Sequence, residues 1–207
     1  MKVKVGMTQN KAKIIGLTGG TGCGKSTVCL VLKEYNSFII DADNISHNII
    51  KRDKEAYFEI VKHFGKDILN SENEIDRKKL GNIVFNNKNE LYCLNKITHK
   101  YILEEIKNEI NLAKNKGLFD YIVIDAPLLI ETNLHKIVDI VWIVHCSLQT
   151  RLDRLKKRDG LSEDILLKRI NSQTPFDKNK KFADFIIFNE EGTNLGNVIK
   201  EQLTKIK

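Results

Sequence analysis

The chain has 207 residues, 42% hydrophobic and 29% charged, a balance that fits a folded globular protein and excludes general disorder. Its length allows one domain, or one domain with an insertion, rather than two full independent domains. No apolar run approaches the roughly 18 residues of a membrane span, and the formal net charge of +7 makes a nucleic-acid partner a question of where the charges lie.

Residues 1–13 (MKVKVGMTQNKAK) carry four lysines and no acid. With no apolar run, no cleavage site and no arginine, they read as a basic tail rather than a signal or transit peptide. Five short apolar, β-branched runs then predict strands at Ile14–Thr18, Phe38–Asp41, Tyr121–Asp125, Ile140–His145 and Phe185–Phe188. Most lack polar alternation, as strands buried on both faces of a parallel sheet do. Helical periodicity lies between and after them, at Lys25–Tyr35, Asp43–Phe64, Arg77–Phe85, Glu90–Asn115, Leu148–Arg158, Ser162–Thr174 and Leu195–Ile206. The alternation predicts an α/β fold with a doubly wound, five-stranded parallel sheet.

The stretch between the second and third strands is too long for one crossover helix, which predicts a helical insertion at 55–118 beside the sheet. Ligands in such folds sit at the carboxyl ends of the strands, so the insertion is expected to border the site. The expected division is a tail at 1–13, a core from 14–54, 119–150 and 182–207, the insertion at 55–118, and a lid at 151–181. The four cysteines, Cys23, Cys29, Cys93 and Cys146, include no C-x-x-C pair and read as separate thiols in a reducing compartment, hence a cytoplasmic protein.

Gly19-Gly20-Thr21-Gly22-Cys23-Gly24-Lys25-Ser26 satisfies G-x-x-x-x-G-K-[ST] in full, between a predicted strand and a predicted helix. Its glycines let the backbone wrap a phosphate and turn N–H groups inward, and the helix N-terminus adds favourable partial charge. Gly20 to Thr27 are therefore the expected ATP-binding residues. Within them Lys25 is expected on the β/γ oxygens and Ser26 on Mg²⁺. Cys23, facing a helix N-terminus, is either a reactive thiol of lowered pKa or a small side chain without a role.

No N-K-x-D base-recognition motif is present, which argues against a GTPase. A small kinase needs a group to orient an acceptor hydroxyl and cations to screen the moving phosphoryl group. Asp41-Ala42-Asp43 closes the second predicted strand, and Asp43 is placed to hold or deprotonate a hydroxyl, or to cap the following helix. Asp41 ranks behind it. The third strand runs into Asp125, an expected Mg²⁺ position through water, while Glu131 is read as structural or acceptor-facing.

The basic excess is concentrated. Residues 1–13 contribute +4 and residues 151–181 contribute +5, which leaves the remainder at −2. Of six arginines against 28 lysines, Arg151, Arg154, Arg158 and Arg169 share the second window. The first three fall on one helix face, and arginine offers the planar fork suited to phosphate. That pattern suits a lid closing over a triphosphate better than a solvated face. Aromatic residues stand at 7% and sit mostly in apolar runs, so no nucleic-acid surface is expected.

The sequence closely resembles dephospho-coenzyme A kinase. The matching stretches are Gly16 to Thr27, Ile40 to Asp43, Asp76 to Leu80 with Phe85, Pro127 to Glu131, Leu152 to Gly160, and Arg169 to Gln173, followed by Ala183-Asp184 and Asn189. The resemblance implies a P-loop kinase fold with a helical acceptor domain and a lid. It also implies transfer of the ATP γ-phosphate to the ribose 3′-hydroxyl of dephospho-coenzyme A, with Mg²⁺. By position it makes Asp43, Lys25, Arg154 and Arg158 catalytic, adds Arg154 to the ATP contacts, and puts acceptor contacts at Asp43, Arg77, His99, Leu128 and Leu129. Lys100 stands where the family has proline after the histidine, and Cys23 where serine is common. No membrane and no obligate protein partner are expected. From the residues alone, a nucleoside or nucleotide kinase of the same shape stays open, because acceptor identity rests on the family motifs, and behind it a non-enzymatic nucleotide-binding regulatory protein.

Overall fold

In the computed structural model, which describes residues 12–206, one sheet is built from β1 (Lys13–Gly19), β2 (Ser37–Asp41), β3 (Tyr121–Asp125), β4 (Ile140–His145) and β5 (Phe185–Phe188), in the order β2-β3-β1-β4-β5. β1 is central and pairs in parallel with β3 and β4, so that Leu17 lies between Asp125 and Trp142. β4 pairs in parallel with β5. Ile15, Leu17, Ile122, Val123 and Ile124 are completely buried, which is why these runs show no polar alternation.

The connecting helices are α1 (Lys25–Glu34), α2 (Ala42–Ile49), α3 (Glu55–Phe64), α4 (Arg77–Asn86), α5 (Lys88–Lys116), α6 (Leu148–Asp159), α7 (Glu163–Asn171), the single turn α8 (Phe176–Asn179) and α9 (Leu195–Lys205). Val28 and Leu32 of α1 and Ile199 and Leu203 of α9 pack with Ile15, Leu17 and Trp142 into the main core. Each such side chain contributes about 1.5–3 kcal/mol on burial.

Three expected boundaries move. Of the basic tail, residues 1–11 lie outside the described residues; Ala12 is buried and Lys13 already belongs to β1, where its N–H donates to the Asp120 carbonyl at 3.1 Å. The helix predicted over Asp43–Phe64 is two, α2 and α3, parted by a turn in which Asp53 takes φ 75°. The run Lys51-Arg52-Asp53-Lys54 offers no apolar side chain to hold a helix face against a core. The helix predicted over Ser162–Thr174 stops at Asn171, ahead of Pro175, which disfavours helical geometry before it.

The described chain forms two compact units. One runs up to Ile40 and from Ile110 onward, and the other is Asp41–Glu109. The second has its own core of Tyr57, Ile60, Ile68, Ile75, Leu80 and Val84, against which Ile50 packs at the exit of α2. This second unit ends inside α5. The lid segment belongs to the first unit. Among the described residues no helix is long and apolar enough to cross a membrane.

Candidate active site

The site is built on the turn from β1 into α1. Gly24 precedes the first turn of α1 with left-handed backbone angles, φ 89° and ψ 32°, and a Cβ there would run into the Asn189 amide. Glycine is required on both counts. The loop is held from behind as well: the Cys23 carbonyl accepts from Asn189 Nδ2 at 2.8 Å and from Arg154 Nη1 at 3.4 Å. Asn189 is buried at the end of β5.

At the mouth of the loop, Lys25 Nζ lies 3.9 Å from Asp125 Oδ1, and Cys29 Sγ donates to Asp125 Oδ2 at 3.5 Å. Burial, and then the neighbouring Asp125 charge, push the Cys29 thiol far up, so it stays protonated and able to donate. Ser26 is exposed in the first turn of α1. A hydroxyl at Ser26 and a carboxylate at Asp125 are hard oxygen donors of the kind Mg²⁺ takes alongside water and phosphate, so the residues present fit that ion.

The lid reaches the loop from the other side. Ser147 caps α6 by accepting from the Thr150 N–H. Leu152 and Leu155 bury against Leu166 and Ile170 of α7, Leu155 also lies beside Gly22, and Arg151 and Arg154 bond to the loop. Arg151 Nε donates to the Thr21 carbonyl at 2.9 Å and Nη2 to Gln173 Oε1 at 3.0 Å, and the same Oε1 accepts from the Thr21 N–H at 2.9 Å. Arg158 is engaged elsewhere. Its Nε and Nη2 donate to Asp159 at 2.6 and 2.9 Å, and Arg169 adds a third bond to that carboxylate at 3.0 Å. These bonds hold the Asp159 carboxyl below the usual range, Arg158 first among them. Among the described residues Arg158 makes no hydrogen bond to the loop.

A cavity of about 220 Å³ opens between the loop, the ends of β3 and β4, and the lid; its walls include Gly20, Leu128, Glu131, His145, Arg151 and Gln173. The His145 ring stacks on Phe176 with centroids 3.9 Å apart, and burial with the Arg151 charge pushes its pKa down. Cys23 also lines this cavity. A hydrogen bond from the Cys146 thiol, aided by the Arg151 charge and opposed by burial, pulls the Cys23 pKa well below the usual thiol range. Leu128 is exposed at the rim, whereas Leu129 is fully buried, and a Cβ added at Gly16 would come 2.8 Å from its Cδ2. Leu129 thus shapes the floor under the loop and presents no surface.

The remaining expected residues lie in the second unit. Asp41, not Asp43, caps α2, accepting from the Asn44 N–H at 2.9 Å; Asp43 is exposed in the first turn. Arg77 is exposed and opens α4, whose cap is Asp76. His99 is half-buried on α5, and burial lowers its pKa. Lys100, in the place of proline, pairs with Glu59 at 2.7 Å, and the Tyr101 hydroxyl donates to the same carboxylate.

Arg151, Gln173 and Asn189 carry no role in the sequence reading beyond the arginine cluster and the family stretches. The spacing of Arg151 and Arg154 announced a shared face, and a polar residue directly after an apolar strand marks Asn189. Gln173 has no comparable sequence signal.

The family model described as dephospho-CoA kinase matches residues 13–194. A dephospho-CoA kinase of Carboxydothermus hydrogenoformans is 44% identical over 176 residues, 85% of this chain and 85% of that protein. Among solved structures, a dephospho-CoA kinase from Campylobacter jejuni superimposes with a TM-score of 0.68 at 28% identity, covering 93% of this chain and 96% of that one. A Thermus thermophilus protein reaches a TM-score of 0.79 at 24% identity over 95% of this chain and 98% of its own, and agrees in fold.

Proposed function

The chain belongs to the dephospho-CoA kinase family, and from that premise we propose how its residues divide the reaction. It is an ATP-dependent kinase that phosphorylates dephospho-CoA to give CoA and ADP, the last step of CoA biosynthesis, the acceptor atom being the ribose 3′-hydroxyl. The observation that carries the reading is the family match over residues 13–194.

The loop from Gly20 to Thr27 binds the triphosphate through its backbone N–H groups, and Lys25 neutralises the β/γ oxygens. Ser26 and Asp125 would hold Mg²⁺, which when bound screens the charge of the phosphates. Arg154 meets the loop at the Cys23 carbonyl and keeps further donors for phosphate oxygens. Arg158 serves the lid by fixing Asp159 and acts on the nucleotide only if that bridge opens.

Asp43 holds the acceptor hydroxyl in line and takes its proton. Its freedom from helix capping supports this role, since Asp41 does that work. Arg77, His99 and Leu128 are the residues assigned to acceptor contacts. The cytoplasm is the setting of this reading. Its cysteines, free among the described residues, are in keeping with a reducing compartment.

ATP consumption measured with dephospho-CoA, with common nucleosides and with RNA tests the assignment. Turnover with dephospho-CoA alone is expected, and turnover with a nucleoside but not with dephospho-CoA overturns it.

A further inference from the structure

The first half of the phosphate loop has no side chains of its own to hold its shape, since Gly19, Gly20 and Gly22 surround Thr21. Its conformation is imposed from outside, by the lid. The Thr21 N–H donates to Gln173 Oε1 at 2.9 Å and its carbonyl accepts from Arg151 Nε at 2.9 Å. The two side chains are themselves joined, Arg151 Nη2 to Gln173 Oε1, at 3.0 Å. Three hydrogen bonds thus close a ring between one loop residue and two lid residues that are 130 and 152 positions away in sequence.

The guanidinium also lies close against Gly20. A Cβ at Gly20 would fall 2.8 Å from Arg151 Nη2 and 3.0 Å from Cζ, and one at Gly22 would fall 3.1 Å from the Arg151 carbonyl. One arginine therefore meets three consecutive loop residues, and a Cβ at Gly20 would crowd its guanidinium. Of its five N–H donors two are engaged in the ring. The others have no partner among the described residues, and Arg151 lines the cavity beside Gly20, Leu128 and His145.

We propose that Arg151 and Gln173 are positioning residues for phosphoryl transfer: together they set the first half of the loop and hold the spare Arg151 donors towards the cavity beside it. The proposal rests on the kinase reading above. A phosphoryl group in transit spreads charge over its equatorial oxygens, and donors already fixed in place favour that state over the bound substrate. Gln173 supplies the fixing, because its single oxygen orients both the loop N–H and the guanidinium. Lysine cannot replace Arg151, having one nitrogen where the ring needs two in a plane.

The test uses the full chain with Arg151→Gln, Arg151→Lys, Gln173→Ala and the double variant Arg151→Gln/Gln173→Ala. Steady-state kinetics with ATP and dephospho-CoA, ADP affinity by calorimetry, and thermal unfolding are followed. Arg151→Gln is expected to lower kcat about tenfold or more while ADP affinity changes less than about threefold. Arg151→Lys recovers less than half of that loss, and the double variant is no worse than Arg151→Gln, because the two residues act through one ring. A kcat within about twofold of wild type, full rescue by lysine, or independent multiplicative losses in the double variant overturns the proposal.

A second readout needs no turnover. In the nucleotide-free protein, Arg151→Gln shifts the pH profile of Cys23 alkylation to higher pH, because the guanidinium charge is one support of that thiolate. Should the wild type bind ADP yet leave dephospho-CoA untouched, the acceptor assignment falls. The alkylation profile then decides the pair alone, and an unshifted profile overturns it.

Discussion

Asn189 Nδ2 donates to the Cys23 carbonyl at 2.8 Å and so fastens the residue after β5 to the middle of the phosphate loop. The contact is buried. Asn189→Ala would leave the carbonyl with only the longer Arg154 bond, at a cost of about 1–3 kcal/mol for an under-satisfied buried group. Urea unfolding should show that loss, with weaker ADP binding beside it. Asn189→Asp should be worse, since it sets a carboxylate against a carbonyl oxygen. Unchanged stability in both variants would mean that the loop keeps its shape without this tie.

Asp125 sits where β3 meets the mouth of the loop, 3.9 Å from Lys25 Nζ. Asp125→Asn keeps the shape but removes the charge that a hydrated Mg²⁺ would face. The Mg²⁺ concentration for half-maximal activity should rise about 10- to 100-fold at fixed ATP. Lys25→Ala should instead weaken ADP binding and lower kcat together, by about tenfold or more each. An unchanged Mg²⁺ requirement in Asp125→Asn would remove that residue from the metal's surroundings.

The fold was legible because each buried strand is a short β-branched run and the loop motif stands in its proper strand-to-helix context. What sequence left open depends on long-range partners. The predicted α2–α3 continuity failed at Lys51–Lys54, where periodicity could be read across a run that has nothing to pack. The Asp41-Ala42-Asp43 motif gave two carboxylates and one helix to cap, and only backbone geometry assigns the cap to Asp41. The arginine cluster was visible, but not its division of labour. Arg151 and Arg154 bond to the loop, and Leu155 packs beside Gly22 on the same face, while Arg158, one turn further on, finds Asp159. Leu128 and Leu129 look alike in sequence, yet one is exposed and the other is wholly buried under Gly16.

Asp41 and Asp43 should separate cleanly by mutation. Asp43→Asn is expected to lower kcat by about 10²- to 10⁴-fold, the range for a lost proton acceptor, with ADP affinity nearly unchanged. Asp41→Ala removes the bond to the Asn44 N–H and should cost about 0.5–2 kcal/mol of stability, with a far smaller effect on kcat. Turnover and urea unfolding on both variants check this. Wild-type turnover in Asp43→Asn would strip that residue of its role.

Cys23 gives the phosphate loop a pH dependence of its own. The groups that face it are the Cys146 thiol and the Arg151 guanidinium, while Cys146 Sγ donates to the Gly22 carbonyl at 3.9 Å and Arg154 reaches Cys146 Sγ at 3.9 Å. With its pKa lowered to about 6, the thiol is protonated below that pH and a thiolate above it. The thiolate is the nucleophile, so alkylation by iodoacetamide should rise through about pH 6 and level off near neutrality rather than climb towards 9. Cys29 is held up by burial and then by Asp125, and Cys146 by Cys23 and then by burial, so they should stay silent. A Cys93→Ser background removes the half-exposed thiol of α5 from the measurement. Cys23 is reached through the cavity beside the loop, where bound ATP or ADP should slow the reaction. The group left on the sulfur should in turn block nucleotide binding, because Cys23 is packed into the main core and a larger side chain there would displace the loop. A midpoint near 9, or unchanged ADP affinity after stoichiometric labelling, would show the thiol to be an ordinary small side chain facing away from the phosphates.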